Sequence, residues 1–327
     1  MYSHHSHSGE YVAHGVDKLD DMVARANEMG FELYCLTEHM PRLDSKYLYP
    51  EEKTGRTESD LETLQQKFRK FMDHALTIKR HSHGAKIIIG MEVEGCDSQH
   101  IAYAKSLMEQ YPDVLQFCVG SVHHVNEIPI DFNQDMWTEA VKVAGNNFKQ
   151  FMIDYLNMQY KLLTELKPLV VGHFDLFKLL CPQRLCVNTQ TGDIIDEGSP
   201  GAKCIQQLSI LHEWEDVESL VVRNLQYIIS YGGLIEINTA GLRKKLLDPF
   251  PGREFAILAK SMGARFVLSD DAHAVSHVGV CYDKALKYMD EVLRLQELHY
   301  LSDNSGSLEI KSVTIDSLKK SPFWENY

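Results

Sequence analysis

Arg265-Phe266-Val267-Leu268-Ser269-Asp270-Asp271-Ala272-His273 is a short apolar run that ends in carboxylates and an imidazole. Rich in Val, Leu and Phe and bounded by polar residues, it reads as a strand buried on both faces. The pattern recurs along the chain. Phe31 to Thr37 is followed by Glu38-His39, and Lys86 to Glu92 ends on its own carboxylate. Leu115 to Val122 runs into His123-His124, and Leu169 to Gly172 into His173-x-Asp175. Leu234 to Ile237 is followed by Asn238-Thr239, the one end without a His or an acid. Together with His5 and His7 in the opening His4-His5-Ser6-His7-Ser8, this makes seven strand ends. A lone His-x-His at a terminus is what a purification tag would give. Its recurrence downstream of strand after strand is not.

Between the runs lie segments with helical spacing, such as Val16, Leu19, Met22, Val23, Ala26 and Met29 before Gly30, or Leu61, Leu64, Phe68, Phe71, Met72 and Ala75. Strands alternating with helices imply parallel pairing through right-handed crossovers. In a closed barrel of that kind every strand opens at its C-terminal end on one face, where residues far apart in sequence meet. The expected fold is an α/β, seven-stranded, distorted (β/α) barrel of the TIM type. All 327 residues are expected to form one domain, with loop insertions near residues 40–59 and 181–216.

Composition narrows the function. No stretch approaches the roughly 18 to 20 apolar residues that cross a bilayer, and no basic-then-apolar leader opens the chain, so a soluble, cytoplasmic protein is expected. A formal charge of -13 argues against a nucleic-acid partner, which would need clustered Lys and Arg. Seven cysteines, an odd number set mostly in apolar runs, suit reduced thiols, and Cys181-x4-Cys186 lacks the second pair of a zinc site.

The strand-end side chains supply the chemistry. Imidazole nitrogen and carboxylate oxygen are ligands for Zn, Mn or Fe, and a carboxylate can bridge two ions. These groups outnumber the needs of one ion, which implies a multinuclear centre. Such a centre generates hydroxide near neutral pH and clamps the oxygens of a transferring phosphoryl group, which is the work of a hydrolase.

His5-x-His7 with Ala13-His14-Gly15, Thr37-Glu38-His39, Gly90-Met91-Glu92, Gly120-Ser121-Val122-His123, Gly172-His173-Phe174-Asp175 and Ser269-Asp270-Asp271-Ala272-His273 together resemble, in order, the motifs of the polymerase and histidinol phosphatase (PHP) superfamily of metal-dependent phosphoesterases. Glu38-His39-Met40-Pro41-Arg42, the second His of His123-His124, and Asn238-Thr239-Ala240-Gly241-Leu242-Arg243 are similar to its histidinol-phosphatase branch. The resemblance implies a trinuclear centre. His5, His7, Glu92 and Asp271 would hold the first metal, Glu92, His123 and His173 the second, and His14, His39 and His273 the third, with Glu92 bridging. It also implies a small-molecule substrate, L-histidinol phosphate, attacked in line by hydroxide without a phosphoenzyme. Arg42 and Arg243 would face the metals and bind the phosphate, since a guanidinium matches phosphate bidentately. Asp271 could position the nucleophile or carry a proton to the leaving alkoxide. Glu38 could recognise the substrate's ammonium or instead orient a ligand imidazole, an ambiguity that Asp175 shares. Asn238 is a further candidate substrate contact.

Alternatives remain. A relative could act on another phosphomonoester. An amidohydrolase-like C–N hydrolase also begins with His-x-His and ends in Asp, but commonly uses a carboxylated Lys where Glu92 and His123 stand here. A non-enzymatic, metal-binding regulatory protein would not need an intact ligand set. His74, His81, His83, His100, His212, His277 and His299 are expected to be solvated, and His4 and His124 to support neighbouring ligands.

Overall fold

The computed structural model describes residues 1–304 and 306–327. Seven strands, Tyr2–Ser3, Leu33–Leu36, Lys86–Glu94, Phe117–Ser121, Val170–Val171, Leu234–Asn238 and Arg265–Ser269, pair in chain order, each parallel to the next. The first and the last then meet. His4 N donates to Leu268 O (3.3 Å), Asp271 N to His5 O (3.1 Å) and His7 N to Ala272 O (2.8 Å), so the backbone just beyond the first strand closes the ring. Closure leaves neither edge strand with a row of open backbone groups. The architecture is the expected α/β barrel, the six apolar runs fall where the sequence puts them, give or take a few residues at their ends, and the two-residue strand Tyr2–Ser3 precedes His5 as the seventh.

The helices bury the faces their spacing assigns. Leu19–Met29 buries Leu19, Met22, Val23, Ala26 and Met29 and stops at Gly30, whose φ of 78° is the left-handed cap that glycine adopts without strain. Val16 precedes the helix and is exposed instead. Thr57–His81 buries Phe68, Phe71, Met72 and Ala75. No helix among the described residues is long and apolar enough to cross a membrane.

Three segments differ from the sequence reading. Residues 40–59 are not a bare loop, because two 3-10 turns, Ser45–Tyr47 and Pro50–Glu52, bury Tyr47, Leu48 and Tyr49. Residues 181–216 carry a hairpin of Cys186–Asn188 with Ala202–Cys204 and then short helical turns. Neither segment has hydrophobic periodicity long enough to read. Last, a hairpin of Glu297–Asn304 with Ser307–Thr314 braces the two-residue first strand. Tyr300 stacks on Tyr2, their ring centroids 4.2 Å apart. Leu301 N donates to His4 Nε2 at 3.1 Å, while His4 Nδ1 donates to Leu268 O at 2.9 Å. His4 is thus held neutral between the barrel's closing seam and this hairpin.

Candidate metal centre

Parallel strands deliver the side chains. His5 and His7 follow the first strand two positions apart, so both point to one side of an extended chain. Glu92 and Glu94 do the same at the end of the third strand. All nine candidate ligands reach the mouth where the strands end, and His14, His39, Glu92, His123, His173, Asp271 and His273 line a cavity of about 570 Å3.

Glu92 stands at the centre of it. Its Oε2 lies 3.2 Å from His5 Nε2 and 3.2 Å from His7 Nε2, whereas its Oε1 lies 3.2 Å from His123 Nε2 and 3.1 Å from His173 Nε2. One carboxylate therefore presents each oxygen to a different pair of imidazoles. Asp271 Oδ1 joins the first pair, 3.8 Å from His5 and 3.5 Å from His7. On the far side His14 Nε2 faces His273 Nε2 at 3.0 Å. His39 turns its Nδ1 toward Glu92 Oε2 (3.0 Å) and Glu94 Oε1 (2.9 Å), in directions that form no hydrogen bond, and its buried Nε2 has no partner.

This donor set fits divalent cations. Imidazole nitrogens face each other at 3.0 Å in His5–His7 and 3.3 Å in His123–His173, close enough for a single proton or ion to serve both. Ligand atoms of His5, His7 and Glu92, of Glu92, His123 and His173, and of His7, His39 and His273 each converge within 4.8 Å. Burial disfavours charge on His5 and His123. The carboxylates facing them, Glu92 first for His5 and Glu94 first for His123, nevertheless hold both imidazoles well above their ordinary value. Burial likewise opposes ionisation of Glu92 and Asp271, but the surrounding imidazoles keep both far below the carboxylate range. The mouth thus sets carboxylates against imidazoles in a buried site, an arrangement that a bound divalent cation would complete.

Behind the ligands, acceptors fix the rings. Glu236 Oε1 takes His5 Nδ1 at 2.9 Å, Glu94 Oε2 takes His123 Nδ1 at 3.1 Å, and the Asp271 carbonyl takes His273 Nδ1 at 2.9 Å. Such outer partners set the tautomer, leaving Nε2 free to bind a metal. Asp271 itself sits at φ 48°. For a non-glycine residue the left-handed region costs about 1–2 kcal/mol, strain that is typical of functional positions.

Four expectations are corrected. Arg42 does not face the metals. Its guanidinium is buried behind them, 3.2 Å from Glu52 Oε1 and 3.1 Å from Glu94 Oε1, with Tyr49 over it. Two carboxylates outcompete an open cavity for a buried cation. Glu38 is also buried away from the cavity, accepting from Ser8 Oγ at 2.6 Å and lying 3.6 Å from His7 Nδ1. It lies behind His7 without a hydrogen bond to it, away from the cavity that a substrate would enter. Asn238 is fully buried, donating to Glu236 Oε2 (3.0 Å) and Asp271 Oδ2 (3.3 Å), so it too holds the site from behind. The sixth strand does carry an acid, Glu236, inside the run rather than after it. Arg243, by contrast, lines the cavity as expected, its Nη1 and Nη2 donating to the carbonyls of Asp270 and Asp271 at 3.0 Å each.

Sequence reasoning missed Glu94 and Glu236, whose signal was an acid inside an otherwise apolar strand on the inward alternation. It also misread four histidines as solvated: His74 is hydrogen-bonded to Tyr11 and Asp20, His299 Nδ1 is buried, and His100 and His277 depart further. His100 is fully buried, accepting from Leu43 N at 2.9 Å and paired with Asp97 at 2.8 Å, and His277 lines the cavity.

A closed (β/α) barrel whose mouth gathers imidazoles around a shared carboxylate defines a metal-dependent hydrolase of PHP type: the PHP domain model matches residues 3–240, and the chain belongs to that family. Within it the similarity is to histidinol-phosphatases. The histidinol-phosphatase of Saccharomyces cerevisiae is 48% identical over 338 aligned residues that span the whole of both chains. A Schizosaccharomyces pombe protein named "Probable histidinol-phosphatase" is 35% identical over 97% of this chain and 95% of its own. Among solved structures, the Lactococcus lactis histidinol phosphate phosphatase complexed with zinc, L-histidinol and phosphate superposes with a TM-score of 0.60 at 17% identity, covering 94% of this chain and 98% of that one.

Proposed function

We propose that the chain hydrolyses L-histidinol phosphate to L-histidinol and inorganic phosphate in histidine biosynthesis, as a metal-dependent phosphoric monoester hydrolase. One observation carries the reading: Glu92 offers its two oxygens to two separate imidazole pairs at the floor of a cavity large enough for a small molecule. Full-length similarity to the yeast histidinol-phosphatase selects the substrate. The zinc, L-histidinol and phosphate complexed with the Lactococcus neighbour support the same choice.

Three divalent ions, Zn, Mn or Fe, would be held by His5, His7, Glu92 and Asp271, by Glu92, His123 and His173, and by His14, His39 and His273. When bound, they would acidify water and neutralise phosphate oxygens. The remaining work falls to the chain. Arg243, anchored on two carbonyls, keeps its charge uncancelled and can meet the phosphate as negative charge redistributes. Asp271 touches the cavity and is kept ionised by the imidazoles around it, so it can accept a hydrogen bond from the attacking water and orient it. Glu236, Glu94 and Asn238 hold the ligands still, and nothing in this chemistry requires a covalent phosphoenzyme.

The test is release of phosphate from a panel of phosphomonoesters that includes histidinol phosphate. Histidinol phosphate is expected to lead the panel, activity to vanish on chelation, and Mn or Zn to restore it. Equal rates across the panel would reduce the chain to a general phosphatase, and activity that survives complete metal removal would dismiss the metal centre.

A further inference from the structure

The cavity has a second wall that the metal centre does not use. Tyr49 comes to it from the buried 40–59 segment, and Asp131 and Phe132 come from the chain just after the His124–Pro129 hairpin. Tyr49 Oη donates to Asp131 Oδ1 at 3.0 Å. Burial, and then the Asp131 carboxylate, push the Tyr49 phenol well above its ordinary value, so it remains a donor. The Tyr49 ring lies 6.2 Å from that of His14 and 5.8 Å from that of Phe132, which places this wall next to the metal ligands. Among the described residues no Lys, Arg or His forms an ion pair with Asp131. Glu51, the other acid on this side, is already engaged, 3.3 Å from His14 Nδ1.

A partly exposed carboxylate on the wall of a phosphatase cavity presents a physical problem. It repels the dianionic phosphate that Arg243 and the metal site attract, unless the substrate brings a cation of its own. L-Histidinol phosphate does so: its ammonium sits two carbons from the ester oxygen, and a flat imidazole lies beyond. Phe132, 37% exposed at the mouth, offers an aromatic face that the core does not use. Resting on the activity proposed above, we infer that Asp131 receives the substrate's ammonium, that the Tyr49 hydroxyl fixes the carboxylate for it, and that Phe132 packs against the imidazole. Asp131 and Phe132 are then specificity residues, and the cavity lining carries both signs of charge, Arg243 for the phosphate and Asp131 for the ammonium.

The experiment compares kcat/KM for histidinol phosphate with that for p-nitrophenyl phosphate, which has a ring and no ammonium, in the wild type, Asp131→Asn and Tyr49→Phe. Asp131→Asn is expected to lower the ratio of the two about ten-fold or more, mainly through KM for histidinol phosphate, because a charge-assisted contact is lost on that substrate alone. Tyr49→Phe should move the ratio the same way by less. A wild type that prefers histidinol phosphate, combined with equal losses on both esters in Asp131→Asn, would overturn the ammonium subsite and leave the proposed activity standing. A wild type that shows no preference would overturn both. Hydrolysis of p-nitrophenyl phosphate by each variant separates lost recognition from lost folding.

Discussion

Arg42 and Arg243 invite the same reading from sequence, yet the structure puts them to opposite uses. Around Arg42 the acceptors are two carboxylates, Glu52 and Glu94, and the guanidinium is 2% exposed. Around Arg243 they are two backbone carbonyls, and the side chain borders the cavity. Carboxylates cancel a cation, whereas carbonyls only aim it. Arg42 is therefore a positioning residue: it holds Glu94, which faces His39 and His123, and so ties the 40–59 segment, in which Glu52 is its second partner, to the third strand. Arg243 retains a charge to offer a ligand. What decides between an architectural and a substrate-binding arginine is the chemistry of its partners, and sequence position does not reveal that.

The comparison can be broken most directly at Arg42. Replacing it with Met leaves Glu52 and Glu94 buried without their cation, and unpairing a buried ion pair costs on the order of 3–5 kcal/mol. Denaturant unfolding of Arg42→Met should show that loss, and Arg42→Met combined with Glu52→Gln should recover part of it. If Arg42→Met unfolds like the wild type and instead raises KM, the guanidinium reaches substrate and the contrast fails.

Arg243→Ala should do the reverse. Losing one preorganised donor to a developing charge lowers kcat by roughly 100- to 1,000-fold, whereas the unfolding midpoint should move little, since only carbonyls at the edge of a wet cavity lose a partner. Phosphate-release kinetics and unfolding measured on the same preparation decide it. A variant as unstable as Arg42→Met would make both arginines architectural.

These two sites show how far the sequence could be read. Six of the strands were legible because each announces itself by a β-rich apolar run, the first only through the His5-x-His7 that follows it, and the nine candidate ligands because they stand at strand ends, where parallel topology must bring them together. What lay behind the ligands was not legible. Glu236 is hidden inside Leu234–Asn238, and Glu94 lies beyond the point where the third strand was expected to stop. Arg42 follows its strand as a cavity residue would, but its partner Glu52 comes from a segment with no periodicity to announce that it folds back. The hairpin of Glu297–Asn304 with Ser307–Thr314 went unread for a related reason. Its alternation is partial, and its role depends on the Tyr2–Tyr300 stacking that only tertiary structure provides.

The smallest effect sharpens the same contrast through pH. Each arginine has a histidine neighbour whose pKa is pushed down to about 4, by burial first and then by the guanidinium among other charges: His124 beside Arg42 and His277 beside Arg243. A folded value below the unfolded 6.5 means that the unfolded chain binds the proton more readily. The stability that depends on a neutral ring is therefore fully present above pH 6.5 and is lost as pH falls toward 4. For His124, fully enclosed with its Nε2 unpartnered, the loss is on the order of 2–3 kcal/mol across that window. His277 is only partly buried and borders the cavity, so its share should be smaller. Because the metal ligands also titrate on acidification, the measurement is a difference: wild type minus His124→Gln, and wild type minus His277→Gln, in unfolding free energy at pH 7 and pH 5. The His124 difference should shrink clearly between the two pH values and the His277 difference barely at all. Equal slopes would mean that the surroundings of Arg42 are as open to water as those of Arg243, which their burial denies.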